Sequence, residues 1–163
     1  MRTLRWIALY LVLPLAIVGL LYLNGQIASD KYGVSPPEEG QYLAEITAAD
    51  SALTAKAGEE ISVPVTLRNA GSLAWFFQKG KNGSVSLSYH IKTESGDPVG
   101  EEGERTALPR TVAPGEEVSV DLSVSAPDQP GSYLLEIDMV CEGVTWFADQ
   151  GSEILKLRMD VTD

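Results

Sequence analysis

Cysteine and histidine are nearly missing. The chain holds one of each, Cys141 and His90. One cysteine closes no internal disulfide and builds no structural zinc site. One histidine excludes multi-histidine metal centres and leaves little room for acid–base work by imidazole. No Gly-rich phosphate loop, nucleophile elbow or HExxH sequence is present. Catalytic residues, cofactors and metals therefore have no candidates in the motifs. Positive charge is scarce too: 12 basic residues stand against 23 acidic ones in 163, a net charge of −11. A chain so acidic is repelled by phosphate backbones, which excludes nucleic acid as the expected partner.

What is present is unevenly spread. Residues 1–30 carry Arg2, Arg5 and Asp30, a net charge of +1; residues 31–163 carry 10 basic and 22 acidic residues, a net charge of −12. Between the arginines and the acidic body, Trp6 to Leu23 reads WIALYLVLPLAIVGLLYL, 18 residues without a charge. As a helix rising about 1.5 Å per residue, this run crosses roughly the hydrocarbon thickness of a bilayer. Trp6 and Tyr22 sit at its ends, at headgroup level, and Pro14 predicts a kink. The competing reading is a cleaved signal peptide, whose apolar stretch is usually about 7–15 residues. This run is longer, and a cut after Ala28 would put Gln26 at the −3 position, a poor fit. An uncleaved anchor is the expectation. The positive-inside rule then places residues 1–5 in the cytoplasm and the body in the periplasm or outside the cell. The expected site is a bacterial inner membrane, crossed once, with the lipid bilayer as a partner.

Residues 24–41, NGQIASDKYGVSPPEEGQ, read as a spacer stiffened by Pro36-Pro37. From residue 42 to 163 the period becomes two. Ile61–Leu67, Val85–Ile91, Val118–Val124, Tyr133–Cys141 and Leu155–Val161 alternate apolar with mostly polar residues, separated by Gly- and Pro-containing turns. Five such runs predict half-buried strands. The expected class is all-β: an immunoglobulin-like, two-sheet antiparallel sandwich preceded by one N-terminal transmembrane helix.

Two local features sharpen this. Gly58-Glu59-Glu60-Ile61-Ser62-Val63 is echoed by Gly115-Glu116-Glu117-Val118-Ser119-Val120. The echo predicts one turn design used twice, with the two strands paired antiparallel. Pro64 must then place its missing donor at a bulge or sheet edge. Pro130-Gly131-Ser132-Tyr133 reads as a tyrosine corner, with a structural Tyr133 whose hydroxyl bonds backbone upstream.

The ordered series Asn69-Ala70-Gly71 with Trp75, Leu87-Ser88-Tyr89-His90, Arg105-Thr106 with Leu108-Pro109, Ala113-Pro114-Gly115, Pro130-Gly131 with Tyr133, Leu135 and Asp138, and Glu142-Gly143-Val144-Thr145-Trp146-Phe147 resembles an immunoglobulin-like module. That module occurs in bacterial envelope proteins and beside glycosyltransferases. The resemblance covers about residues 57–151 and departs at Ile91, where relatives often carry an aromatic residue. It implies an extracytoplasmic β-sandwich and carries over no catalytic residue.

Trp75, Phe76, Phe77, Trp146 and Phe147 are the candidate contacts for a partner or ligand, set against a role for Trp75 and Trp146 in capping the core. The pairs Glu38-Glu39, Glu59-Glu60, Glu101-Glu102 and Glu116-Glu117 lie at turns and read as solvated charge rather than as a glycosidase pair. Glu101, Glu102 and Glu104 have no calcium-loop spacing. His90 falls on a polar strand face, and Cys141 on an inward one. The expected function is non-enzymatic: an accessory or structural subunit of a larger integral membrane complex, contacting it through helix and domain. A carbohydrate-binding module in envelope glycan assembly is the alternative, with a glycan as partner.

Overall fold

The computed structural model describes residues 40–77 and 82–163. The tail 1–5, the Trp6–Leu23 segment with Trp6, Pro14 and Tyr22, and the spacer up to residue 39 lie outside the described residues. Among the described residues no helix is long and apolar enough to cross a membrane.

The strands are β1 (Ala44–Ala48), β2 (Ala52–Lys56), β3 (Glu60–Asn69), β4 (Val85–Thr93), β5 (Thr106–Ala107), β6 (Glu117–Ser125), β7 (Gly131–Cys141), β8 (Thr145–Trp146) and β9 (Leu155–Thr162), with a 3₁₀ turn at Ala148–Gln150. The five alternating runs became β3, β4, β6, β7 and β9. β1 and β2, with sequences AEITA and ALTAK, are too short and alanine-rich to stand out by period. One sheet has the order β1-β3-β6; the other runs β2-β9-β7-β4-β5, with β8 against β7.

The expectation of a wholly antiparallel sandwich needs one correction. β2 runs parallel to β9, Ala52 beside Arg158 and Lys56 beside Thr162. The cause is a switch of sheets. β1 pairs with β3 in the small sheet; the chain bends at residues 49–51 and continues as an edge strand of the large one.

The echoed segments pair as expected: β3 and β6 are antiparallel, with Ile61 opposite Val124 and Val65 opposite Val120. Their turns share one design. Gly58 and Gly115 take the left-handed φ values of 69° and 82°. The next residue in each, Glu59 or Glu116, donates its N–H to the carbonyl three residues back, Lys56 or Ala113, each at 3.0 Å. Its carboxylate accepts the N–H of that same residue, at 2.7 Å for Glu59 and 3.0 Å for Glu116. Pro64 sits where its defect does no harm. Asn69 N–H donates to Glu116 O and Ala70 N–H to Leu43 O, so alternate residues of β3 address β6 and β1. By that alternation the Pro64 nitrogen faces β1, whose ladder has already stopped at Ala48 opposite Val65.

The core lies between the sheets. Val63, Val65, Leu67, Val120, Leu122 and Val124 meet Leu87, Tyr89, Leu135, Ile137, Met139, Leu157 and Met159, all buried. One strand departs from simple alternation. Glu136, Asp138 and Val140, on the face of β7 expected to meet solvent, are buried at 6%, 3% and 5% exposure. β8 lies alongside β7 there, with Val140 opposite Trp146. Ser86 and Ser88 of β4 are covered on the same side.

Two hydrogen-bonded side chains fix the ends of the sandwich. Tyr133 donates its hydroxyl to Gln129 O at 2.8 Å, the bond expected of a tyrosine corner. Asn69, fully buried, donates its amide to Leu73 O at 2.8 Å and Val112 O at 3.0 Å, and accepts the Gly71 N–H at 3.0 Å. Asn69→Ala leaves buried backbone groups unpaired and is expected to cost about 3 kcal/mol, whereas Tyr133→Phe is expected to cost about 1 kcal/mol. Urea denaturation of both variants checks the ranking; equal losses would show that Asn69 is not the stronger tie.

Candidate functional site

The exposed and half-exposed chemistry gathers in two places. The first is the outer face of the large sheet, where β8 brings Trp146 over β4. The His90 ring lies 5.0 Å from the Trp146 ring, tilted by 51°, and the Arg105 guanidinium carbon lies 5.0 Å from the same ring centroid. Arg105 is held from three sides. Its Nε donates to Glu142 Oε1, its Nη2 to Glu102 Oε2 and its Nη1 to Ser88 Oγ, each at 2.9 Å. His90 Nε2 stands 3.9 Å from Glu102 Oε1. The result is a half-exposed aromatic ring flanked by a fixed cation and an imidazole.

Beneath this platform lie two buried carboxylates with opposite electrostatics. Asp138 accepts the Met139 N–H at 2.7 Å and the Ala148 N–H at 3.2 Å. Burial nevertheless dominates and pushes its carboxyl above the ordinary value; the nearby Asp149 adds to the rise, while the two backbone bonds and His90 oppose it. Glu136 is the reverse case. Burial alone would raise it, but hydrogen bonds and charge from Lys92 and Lys156 outweigh burial and lower it. The two ammonium groups lie 2.7 and 2.9 Å from its oxygens.

The second place is the end of the sandwich where the chain enters. Leu73, Phe76 and Phe77 are exposed at 39%, 59% and 47%. A shallow depression beside them is lined by Tyr42, Leu73, Ala74, Phe76, Asn82, Gly83 and Ser84, without an acidic residue. The backbone here is fixed. Trp75 exchanges hydrogen bonds with Val112 at 2.9 and 3.0 Å, and Phe76 O accepts the Val85 N–H at 2.8 Å.

The five aromatic candidates thus separate. Trp75 and Phe147 are fully buried and pack edge to face at 5.6 Å and 68°. Phe147 also meets Tyr42 at 5.4 Å. As contacts for a partner these two are corrected to core residues: Trp75 follows the buried Asn69 loop inward, and Phe147 points under the 3₁₀ turn. Phe76 and Phe77 stay outside, and Trp146 lies between. The two clusters do not merge into one aromatic patch, because their inward members are consumed by the core. Cys141 is buried. Burial raises its thiol above the ordinary value against a hydrogen bond from Tyr42, while burial and that bond push the Tyr42 hydroxyl up to about 12. Such a thiol is a poor nucleophile.

Among the acidic pairs, Glu59 and Glu116 clamp turns as described, and Glu60 bonds Ser123 across the small sheet. Glu38-Glu39 lies outside the described residues. Among the described residues no group of three or more His, Cys, Asp or Glu side chains could hold a metal ion. The residue that motif reading did not reach is Arg105. Its Arg-Thr position carried only a resemblance, and nothing in a linear sequence shows that it meets Glu142, 37 positions away.

The two buried carboxylates predict opposite pH slopes. Folding tightens the proton on Asp138, so its contribution to stability grows as pH falls through its raised value toward the ordinary 3.8. Folding loosens the proton on Glu136, so its contribution is present above the ordinary 4.5 and is lost as pH falls through its lowered value. Urea midpoints measured across this acid range should show wild type gaining on Asp138→Asn and losing ground to Glu136→Gln. Parallel curves would contradict both assignments.

No protein-family model matches this chain, and no curated protein does. Among solved structures it is similar to a β-glucosidase from Listeria innocua in complex with glucose, with 16% identity and a TM-score of 0.47 over 74% of this chain and 16% of that one. It is also similar to the CARDB domain of a Pyrococcus furiosus protein in complex with di-metal ions, with 14% identity and a TM-score of 0.44 over 79% and 94% of the two chains. A family 123 glycoside hydrolase from Clostridium perfringens is similar at 12% identity and a TM-score of 0.42, over 74% of this chain and 27% of that one. The chain therefore spans about a sixth of the β-glucosidase it resembles. At these identities the likeness concerns the fold alone.

Proposed function

We propose that this chain is a non-enzymatic, single-pass protein of a bacterial cytoplasmic membrane. Its immunoglobulin-like domain stands on the periplasmic or extracellular side and serves as an accessory or structural subunit of a larger integral membrane complex. The observation that carries this reading is the Trp146 platform. Its ring is half exposed and its neighbours His90 and Arg105 are held in place, Arg105 by Glu102, Glu142 and Ser88. Protein contacts draw much of their energy from Trp and Arg side chains that need no ordering when they bind. The ionisable groups around it are engaged with one another, which suits a surface that recognises rather than one that reacts. The uncharged Trp6–Leu23 run and the two preceding arginines support the membrane part of the proposal.

A glycan-binding role is the second reading, and Trp146 is its one supporting residue. Sugar rings stack on open aromatic faces, and the Arg105 guanidinium already lies over this ring. That favours a protein partner.

Native electrophoresis of the full-length protein, extracted from its own membrane in mild detergent, tests the proposal. The protein should migrate in an assembly far larger than 17.5 kDa. Trp146→Ala should release it while circular dichroism stays that of a folded β-sandwich. Wild type running as a monomer would overturn the proposal, as would glycan binding by calorimetry that Trp146→Ala abolishes.

A further inference from the structure

We infer that the Leu73–Phe77 loop seats in the headgroup–acyl boundary of the bilayer. The inference rests on the membrane-anchor reading and adds a second contact with the same lipid surface. Four observations converge on it.

The first is position. Gly40 is the first described residue, and its carbonyl accepts the Ser72 N–H at 3.1 Å. The loop 70–72 is packed so closely on the incoming chain that a Cβ on Gly71 would lie 2.3 Å from Gln41 O. The exposed loop therefore flanks the point where the chain enters the domain. Sixteen residues, 24–39, separate that point from the end of the uncharged run at Leu23. Fully extended they reach at most about 60 Å, and less with any bend. This end of the sandwich is the end on the leash.

The second is chemistry. Leu73, Phe76 and Phe77 are the exposed large hydrophobic residues among those described. Leu73 and Phe76 adjoin Tyr42 on the acid-free depression, and Phe77 follows next in the chain. Leu and Phe side chains bury favourably in the interfacial layer.

The third is charge. The stretch that holds the loop, residues 70–83, contains no Asp or Glu and carries Lys79 and Lys81. The body as a whole has a net charge of −12. An anionic leaflet repels acidic surface and attracts basic surface within about a Debye length. A stretch of this composition approaches such a leaflet with less repulsion than the acidic body as a whole.

The fourth is rigidity. Asn69 holds Leu73 O, and Val112 and Val85 hold the backbone of Trp75 and Phe76. The rings protrude from a fixed backbone, so insertion orders little chain. The affinity required is small, because a tethered domain already sees the surface at high effective concentration.

The test uses the full-length chain in vesicles of equal parts phosphatidylcholine and phosphatidylglycerol. Phe77→Cys and Gln129→Cys are labelled with an environment-sensitive fluorophore; the buried Cys141 stays unlabelled. Gln129 is exposed at the opposite end of the sandwich, just past Ser125, which pairs with Glu60 at the start of β3. The label at Phe77 should shift to the blue, brighten several-fold and be quenched by brominated acyl chains, while the label at Gln129 should do neither. Flotation of the same samples reports the anchor separately. Vesicles that float with the protein while the Phe77 label stays water-like overturn the lipid contact and leave the anchor standing. Protein that does not float removes both. A Phe77 label shielded in native membranes yet wet in lipid alone assigns the loop to a protein partner and also overturns the inference.

Discussion

The carboxamide of Asn69 is the tie on which this end of the molecule depends. It is fully buried, and each of its bonds goes to backbone: out to Leu73 and Val112, and in from Gly71. A buried amide leaves no alternative partner in water, so the loops it joins must take the positions that satisfy it. Through Val112 it couples the 69–75 loop to the segment before β6. Through Gly71 it fixes the stretch against which Gln41 and Leu43 pass. Just past this tie Trp75 is buried, while Phe76 and Phe77 are exposed.

A second constraint organises the other face. β9 pairs with β7 only as far as Ile137, so the last residues of β7 have a vacant neighbour position on that side. β8 takes it, with Trp146 opposite Val140. The chain just beyond β8 then reaches Asp138 through the Ala148 N–H. Glu136 lies farther along, where β7 is flanked by β9, and is buried too. Asp138 finds backbone N–H groups, and Glu136 finds two lysines. Arg105, drawn between Glu102, Glu142 and Ser88, lies over the Trp146 ring.

Much of this was legible from the residues. The alternation of Ile61–Leu67 and Val118–Val124, and the shared Gly-Glu-Glu mouths, gave the pairing of β3 with β6, because period two and turn chemistry are local properties. Tyr133 was legible for the same reason. The alternation of β7 misled at Glu136 and Asp138: their polarity reads as solvent-facing, and partners distant in sequence, Lys92 and Lys156 for Glu136 and Ala148 for Asp138, make it otherwise. β2 was hidden because ALTAK owes its place to the edge of β9, and its parallel pairing follows from the chain changing sheets. Trp75, Phe76 and Phe77 are adjacent and chemically alike, so nothing local separates the buried ring from the exposed ones.

The sequence by itself determined the all-β class, the two turns, the tyrosine corner and the division into an uncharged run and an acidic body. Each of these depends on neighbours along the chain, on hydrophobic period, or on summed charge. Tertiary structure alone decided which rings are buried, that Arg105 meets Glu142 and Trp146, and that two carboxylates of β7 lie under cover with opposite proton affinities. Those outcomes depend on groups far apart in sequence being packed together, where burial and the partners at hand set the energy.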